Sequence, residues 1–388
     1  MQYREAKVFG KDVSVLGLGC MRFPRGKTAA HAIMQASLDA GINYFDTAYV
    51  YPGSEETVGE FLAQGHRDEV ILATKLPHYL CKSAADFDRI FEEELKRLQT
   101  DYVDCYLIHM LASPDQWQRV VDLGIEDWIA RRKEAGQIKH IGFSFHGANA
   151  DFKQILDAYD WEFTQIQLNY FDANAQAGLD GMRYAAEKGL PIIVMEPLRG
   201  GTLANKLSPD AQKIFDEAGP DLSYAQWGLQ WLYNIPEVTC VLSGMNEMQQ
   251  IIENVALADL VTPGTLSGET LEVYERAVQA IRGEGAIGCT GCHYCEPCPK
   301  GVDIPTCFHI YNSGLSTSWF AGEYDYIQNT SLGGKPTNAG RCVQCGSCEP
   351  KCPQQLPIRE LLQTVAKRYE GIPYKVATSV KRRVMHQN

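Results

Sequence analysis

Along its first 280 residues the chain alternates between short apolar runs rich in β-branched residues and longer segments whose apolar positions fall three and four apart. The apolar runs predict strands at Val13–Leu18, Tyr44–Thr47, Val70–Thr74, Val103–Ile108, His140–Ser144, Phe163–Leu168, Ile192–Glu196 and Thr239–Ser243. The intervening segments carry helical spacing, as at Phe91, Leu95 and Leu98 before the fourth strand. Eight strand–helix units within about 250 residues match an α/β fold of the closed (β/α)8 TIM-barrel type better than an open doubly wound sheet. No strand is followed by GxGxxG, so a Rossmann dinucleotide site has no support.

At 388 residues the chain is long enough for one large domain and a small one. A hydrophobic share of 45% and a charged share of 22% are those of a soluble globular protein. The net charge of −12 provides no basic field to displace counterions from phosphates, so nucleic acid is not an expected partner. The polar N-terminal stretch MQYREAKVFGKDVS does not read as a signal peptide, and no apolar run approaches the ~18 residues of a membrane helix. A cytoplasmic protein without membrane contact is expected.

Polar residues of proton-handling type stand at four successive strand ends. The second strand runs into Asp46-Thr-Ala-Tyr-Val-Tyr51, the third ends in Ala73-Thr-Lys75, the fourth in Leu107-Ile-His109 and the fifth in Gly142-Phe-Ser144. Barrels of this type carry their chemistry at strand ends. One such residue is explained by burial with a satisfied partner; four in succession are not. Their combination suits carbonyl reduction, in which hydride addition leaves an alkoxide that needs a proton. A tyrosine hydroxyl, Tyr51, donates it if a nearby cation, Lys75, lowers its pKa from the usual ~10. Asp46 would hold Lys75 charged and oriented, and His109 would place the carbonyl by hydrogen bonding.

The stretches DTAYVYPGSEETVG, ATK, YLIH, GFSFHG, TQIQLNY and PIIVMEPLRGG, in that order, resemble the aldo-keto reductase family over about residues 5 to 280. The resemblance implies a catalytic tetrad of Asp46, Tyr51, Lys75 and His109, with NADPH or NADH as cofactor. It further implies that Ser144 and Gln165 hold the nicotinamide carboxamide and that Glu253 and Asn254 lie on the adenine side. The chain departs from the family at three places. Phe145 stands where an asparagine is usual, and Met195 where many members stack an aromatic ring on the nicotinamide. Gly244 and Gln250 take the places of the lysine and arginine that bind the 2′-phosphate of NADP, so the choice between NADP and NAD is open.

Thirteen cysteines in such a chain need an explanation, and nine of them lie between Cys289 and Cys352. A disulfide scaffold does not suit a long chain without a secretory signal. After Gly283–Gly288, which reads as a linker, come Cys289, Cys292, Cys295 and Cys298, then Cys342, Cys345, Cys348 and Cys352. The second run has the bacterial ferredoxin spacing C-x2-C-x2-C-x3-C-P, and the first has one residue fewer before its last cysteine. Two residues between cysteines let a tight loop wrap three thiolates round one face of a [4Fe-4S] cubane. The fourth, followed by proline, turns away to the other cluster. By the two-cluster rule Cys289, Cys292, Cys295 and Cys352 hold one cluster, and Cys342, Cys345, Cys348 and Cys298 the other. Structural zinc, usually four ligands in two CxxC pairs, fits two linked sets with trailing prolines poorly. The region resembles a two-cluster ferredoxin domain of the more helical kind, which divides the chain into a barrel over 1–283 and a small, mostly helical iron–sulfur domain over 284–388. Cys307, in Ile304-Pro-Thr-Cys-Phe-His309, reads as a buried packing residue.

Three readings of the fusion follow. In the first, the barrel reduces a small aldehyde or ketone with NAD(P)H, or oxidises an alcohol, while the clusters stabilise the chain or dock a redox partner such as ferredoxin. The second is an iron–sulfur enzyme passing single electrons to or from a substrate, or to a flavin at the barrel mouth, since barrels bind flavin phosphate without an obvious motif. The third is a non-enzymatic redox sensor, against which the complete tetrad argues. Oxygen-sensitive clusters point to an anaerobic setting.

Overall fold

The computed structural model describes residues 1–388 except 148, 175, 283–284, 290, 292–294, 317–318, 332–335, 353, 373, 376–377 and 379–388. Two compact units are formed, one of Met1–Leu207 with Gln212–Tyr274 and one of Ser208–Ala211 with Glu275–Asn388. The division falls inside a single helix, Gly268–Arg282.

In the first unit eight parallel strands close into a barrel. They are β1 (Leu16–Gly19), β2 (Tyr44–Asp46), β3 (Ile71–Leu76), β4 (Val103–Leu111), β5 (Ile138–Phe145), β6 (Phe163–Gln167), β7 (Ile192–Met195) and β8 (Val238–Ser243), with β8 pairing to β1. The sequence places Val13 and Ser14 in the first strand, but they pair antiparallel with Tyr3–Arg4 in a separate hairpin. That hairpin and the turn after it bring Ala6, Phe9 and Val13 into one buried cluster with Tyr44, Ile71, Cys105, Phe163, Ile193 and Cys240, so the barrel has an apolar plug. Arg4 donates to the carbonyl oxygens of Tyr233, Ile235 and Val238 and ties the hairpin to the approach of β8.

Side chains alternate across a strand, and here six of the eight strands contribute to two different apolar layers, β1 and β5 only to the outer one. Ile71 and Ala73 of β3, Cys105 and Leu107 of β4, and Ile193 of β7 belong to the inner cluster. Leu72, Tyr106, Ile108, Phe143, Phe145, Ile192 and Val194 belong to the larger cluster under the helices. Helices close on this outer layer at short range where the sequence allows it. Gly59 in the helix Ser54–Phe61 faces the end of the helix Ala84–Leu98, where an added Cβ would lie 2.2 Å from the Arg97 carbonyl oxygen. The second of these helices begins with a Ser83–Asp86 capping box and buries Phe91, Leu95 and Leu98, as their spacing predicts.

The second unit is mostly helical, with helices Ile304–Ser316, Trp319–Ser331 and Ile358–Tyr369. Its core holds Ile287, Val302, Phe308, Tyr326, Leu362, Val365 and Tyr369, with Tyr326 and Tyr369 stacked at 4.9 Å between ring centroids. Cys307 is fully buried in this core, in line with a packing role. The expected linker is partly anchored, since Ile287 is buried and its backbone exchanges two hydrogen bonds with the Asn312 side chain (2.8 and 2.7 Å); Gly283 lies outside the described residues. Glu370 accepts from Tyr326 Oη (2.7 Å), Asn338 Nδ2 (2.9 Å) and the Gly340 N–H (2.7 Å), which fixes the turn entering Cys342. Among the described residues no helix is long and apolar enough to cross a membrane.

Candidate active site and cysteine cage

Continuing the inward register of each strand past the apolar plug reaches the polar residues. Ile71 and Ala73 lead to Lys75, Cys105 and Leu107 to His109, Tyr44 to Asp46, and Phe163 to Gln165. Lys75 Nζ donates to Asp46 Oδ2 at 2.6 Å and to the Thr47 carbonyl oxygen at 2.7 Å. Both members of this ion pair are buried, Lys75 at 1% exposure and Asp46 at 4%. Breaking such a pair leaves one uncompensated charge in the interior, at a cost of about 3–5 kcal/mol. Tyr51 stands on the turn after β2, its ring centroid 5.4 Å from Lys75 Nζ and 6.1 Å, edge to face, from the His109 ring.

The electrostatics of the four groups are set mainly by burial. Burial, then the positive charge of Lys75, pushes the His109 imidazolium down to about 2, so this ring is neutral. Asp46 is raised by burial against the opposing pull of Lys75; burial lowers Lys75, but Asp46, Tyr51 and Cys20 together raise it further, and it is held above its ordinary value. Tyr51 departs from the expectation. Lys75 lowers its pKa, but burial together with Asp46, Glu196 and Tyr79 raises it further, and the net direction is upward. The hydroxyl is therefore a neutral phenol, held by a site that disfavours its anion.

A cavity of about 760 Å³ opens over this floor. Asp46, Tyr51, His109, Gln165, Glu253 and Asn254 all line it; Lys75 and Ser144 do not, Lys75 lying behind Asp46. Three buried atoms of lining residues, Asp46 Oδ1, His109 Nδ1 and Gln165 Oε1, have no hydrogen-bond partner, which is costly unless a ligand supplies one. An acceptor at Gln165 matches the amide N–H of a nicotinamide carboxamide, so the lining fits that group. Ser144 Oγ instead accepts from the Met110 N–H at 2.8 Å. That bond braces a left-handed residue, Met110 at φ 61°, immediately beside His109. Phe145, on the outward register, packs edge to face on Phe152 at 5.1 Å and does not line the cavity. Met195 does reach the cavity.

At the far end the cavity is bounded by Gly244, Asn246, Gln250, Glu253 and Asn254. Gln250 Oε1 is occupied in accepting from the Asn246 N–H at 2.9 Å. Arg22, Met110 and Glu196 also line the cavity without having been assigned a role from sequence, and so does His146, which its place after the strand-end Ser144 makes a candidate for the lining. The signal for two of them is backbone strain, since Met110 and Glu196 are non-glycine residues at φ 61° and 55°.

In the second unit, Cys295, Cys298, Cys342, Cys345 and Cys348 line one cavity together with Arg359. Cys298 thus reaches the three thiols of the second run, despite its shortened spacing. The loop carrying those thiols turns through left-handed backbone at Gln344 (φ 61°) and Gly346 (φ 77°). The Gln344 N–H and the Ser347 hydroxyl each approach a thiol sulfur, of Cys342 and Cys345, at 3.5 Å. Converging thiols with hydrogen-bond donors to sulfur are a donor set that fits an iron–sulfur cluster. Cys289 and Cys352 pack beside the same core, and Cys292 lies outside the described residues.

Residues 15–263 match the family model of the aldo/keto reductase family, and residues 288–360 match that of the 4Fe-4S dicluster domain. The chain belongs to the aldo/keto reductase family and carries a C-terminal 4Fe-4S dicluster domain. It is 28% identical to an uncharacterized oxidoreductase, YqkF, of Bacillus subtilis over 67% of this chain and 92% of that protein. It is 29% identical to the L-galactose dehydrogenase of Arabidopsis thaliana over 70% of this chain and 93% of that one. A solved aldo-keto reductase of Bacillus halodurans in its holo form superposes with a TM-score of 0.61 at 28% identity, covering 72% of this chain and 97% of that one. Another, from Klebsiella pneumoniae in complex with NADP and acetate, gives a TM-score of 0.56 at 26% identity, with 68% and 91% covered.

Proposed function

We propose that the barrel reduces the carbonyl of a small aldehyde or ketone, and that the C-terminal domain holds two [4Fe-4S] clusters that serve the fold and a one-electron redox partner such as ferredoxin. The observation that carries the first part is the buried Lys75–Asp46 pair at 2.6 Å beneath Tyr51 and a neutral His109, at the floor of the cavity. A nicotinamide cofactor, when bound, supplies the hydride. Gln165 holds its carboxamide, and Glu253 and Asn254 lie toward its adenine end.

His109 donates one ring N–H to the carbonyl oxygen and orients the substrate without adding charge. Tyr51 donates its hydroxyl proton to the same oxygen. An alkoxide is far more basic than a phenolate, so a phenol with a raised pKa still gives up its proton readily. Alcohol oxidation needs the phenolate instead, which the site disfavours, and reduction is the favoured direction near neutral pH. Lys75, locked to Asp46, stabilises the phenolate left after transfer. Ser144 acts by bracing Met110 beside His109.

With Gly244 and Gln250 at the far end, no lysine or arginine stands where a 2′-phosphate would lie, and NADH is the expected partner over NADPH. For the clusters, the ferredoxin spacing supports Cys298, Cys342, Cys345 and Cys348 as one ligand set and Cys289, Cys292, Cys295 and Cys352 as the other, with Cys295 beside the first set in one cavity. A barrel over 1–283, an iron–sulfur domain over 284–388 and a cytoplasmic setting complete the reading. Tyr51→Phe tests it. Turnover with aldehydes falls by about 10²–10⁴-fold while iron content stays at that of the unaltered chain; full activity in that variant excludes the tetrad mechanism.

A further inference from the structure

The cavity lined by Cys295, Cys298, Cys342, Cys345 and Cys348 is also lined by a guanidinium that no ligand set requires. Arg359 lies at the start of the helix Ile358–Tyr369, and its Cζ is 3.6 Å from where a Cβ on Gly346 would stand, between Cys345 and Cys348. Glu349, one residue past Cys348, grips it from the other side. Its Oε2 accepts from Arg359 Nε at 2.9 Å and pairs with Nη2 at 2.7 Å, while its Oε1 accepts from the Arg359 N–H at 3.0 Å. A carboxylate on one side and thiols on the other fix where this charge sits. Among the described cysteines of the two ligand runs, Cys345 is the exposed one, and its neighbour Val343 is 55% exposed.

We propose that Arg359 is a positioning residue for electrons: held by Glu349, it raises the reduction potential of the cluster ligated by Cys298, Cys342, Cys345 and Cys348. This rests on the two-cluster reading above. The physical cause is Coulombic. Reduction adds one negative charge to the cluster, and a fixed cation beside it stabilises the reduced form more than the oxidised one. The electron comes from a reduced one-electron carrier protein, which is oxidised by one electron as the cluster is reduced by one. The Glu349 carboxylate offsets part of the cation, so the two side chains act with opposite sign. Arg359 is 46% exposed, and water screens the effect to a modest size.

The test is an EPR-monitored potentiometric titration of the anaerobically purified full chain and of three variants. In Arg359→Gln one of the two one-electron steps moves to more negative potential by about fivefold in its reduction equilibrium, ~40 mV by the one-electron conversion. In Glu349→Gln the same step moves to more positive potential. Arg359→Lys keeps the charge and restores most of the wild-type value. The other step stays in place throughout. Two unchanged steps in both neutral variants, or equal movement of both steps, overturn the assignment. Iron analysis keeps the two readings apart. About eight iron atoms per chain with unmoved potentials sinks the role of Arg359 alone, whereas a chain without two EPR-active clusters sinks the cluster reading itself.

Discussion

The barrel and the cysteine cage are both built around polar groups placed inside a protein, but they place them by different means. In the barrel, Lys75 and Asp46 are buried at 1% and 4% exposure and pair with one another, on strands held by the apolar clusters of the barrel. The second unit packs a smaller core, and the described cysteines of the two runs lie at its margin, from buried Cys295 to exposed Cys345. A site preorganised by packing survives without its ligand, whereas a site made of thiol loops depends on the ligand to hold them. The comparison teaches which part of the chain folds alone.

The largest expected effect breaks that comparison directly. Removing iron with a chelator under reducing conditions should collapse amide-exchange protection in Ile304–Ser316 and Ile358–Tyr369 toward that of an open chain, with β3 to β6 unchanged. Equal loss in barrel and module would mean that the two do not differ in kind. Next in size is Lys75→Met, which strands the Asp46 carboxylate in the interior. We expect a loss of about 3–5 kcal/mol in barrel stability by denaturant titration, together with loss of turnover.

The pH dependence is gentler. Tyr51 is raised above its usual range and His109 is pushed down to about 2, so both hold their working protonation states through the neutral range. Aldehyde reduction should be flat between about pH 5 and pH 9, with a fall only above ~10. Alcohol oxidation, which consumes the phenolate, should climb across the same range. Initial rates in both directions decide this, and a basic limb near pH 8 for reduction would contradict the raised phenol. The smallest effect is expected at the far end of the cavity. Gln250→Lys should tighten NADPH by about tenfold relative to NADH, one charge-assisted contact being worth ~1.4 kcal/mol, as read by fluorescence titration.

Much of this was legible in the amino-acid order. The alternation of apolar runs implied eight strands, and polar residues at their ends implied the tetrad, because a strand's period of two carries the inward face from Ile71 through Ala73 to Lys75. The same period makes Phe145 an outward residue, a point that a motif match at that position obscures. Val13 and Ser14 look like the start of β1 because an apolar run does not record where the backbone changes partner. The cysteine spacing likewise specified two ligand runs, since two residues between thiols is a property of a local loop.

What the sequence by itself determined is therefore whatever depends on neighbours along the chain: strand register, the helical faces, and the thiol loops of the 4Fe-4S dicluster domain. Tertiary structure alone decided the rest. It set the Ser144 hydroxyl against the Met110 N–H, put Cys295 and Cys298 in one cavity with the thiols of the second run, and set Arg359 against Gly346. It also reversed the net shift on Tyr51, because Asp46, Glu196 and Tyr79 come from three separate parts of the chain and their summed effect with burial exceeds that of one lysine. Electrostatic and hydrogen-bonding outcomes sum over neighbours in space, and those neighbours become countable only once the chain has closed.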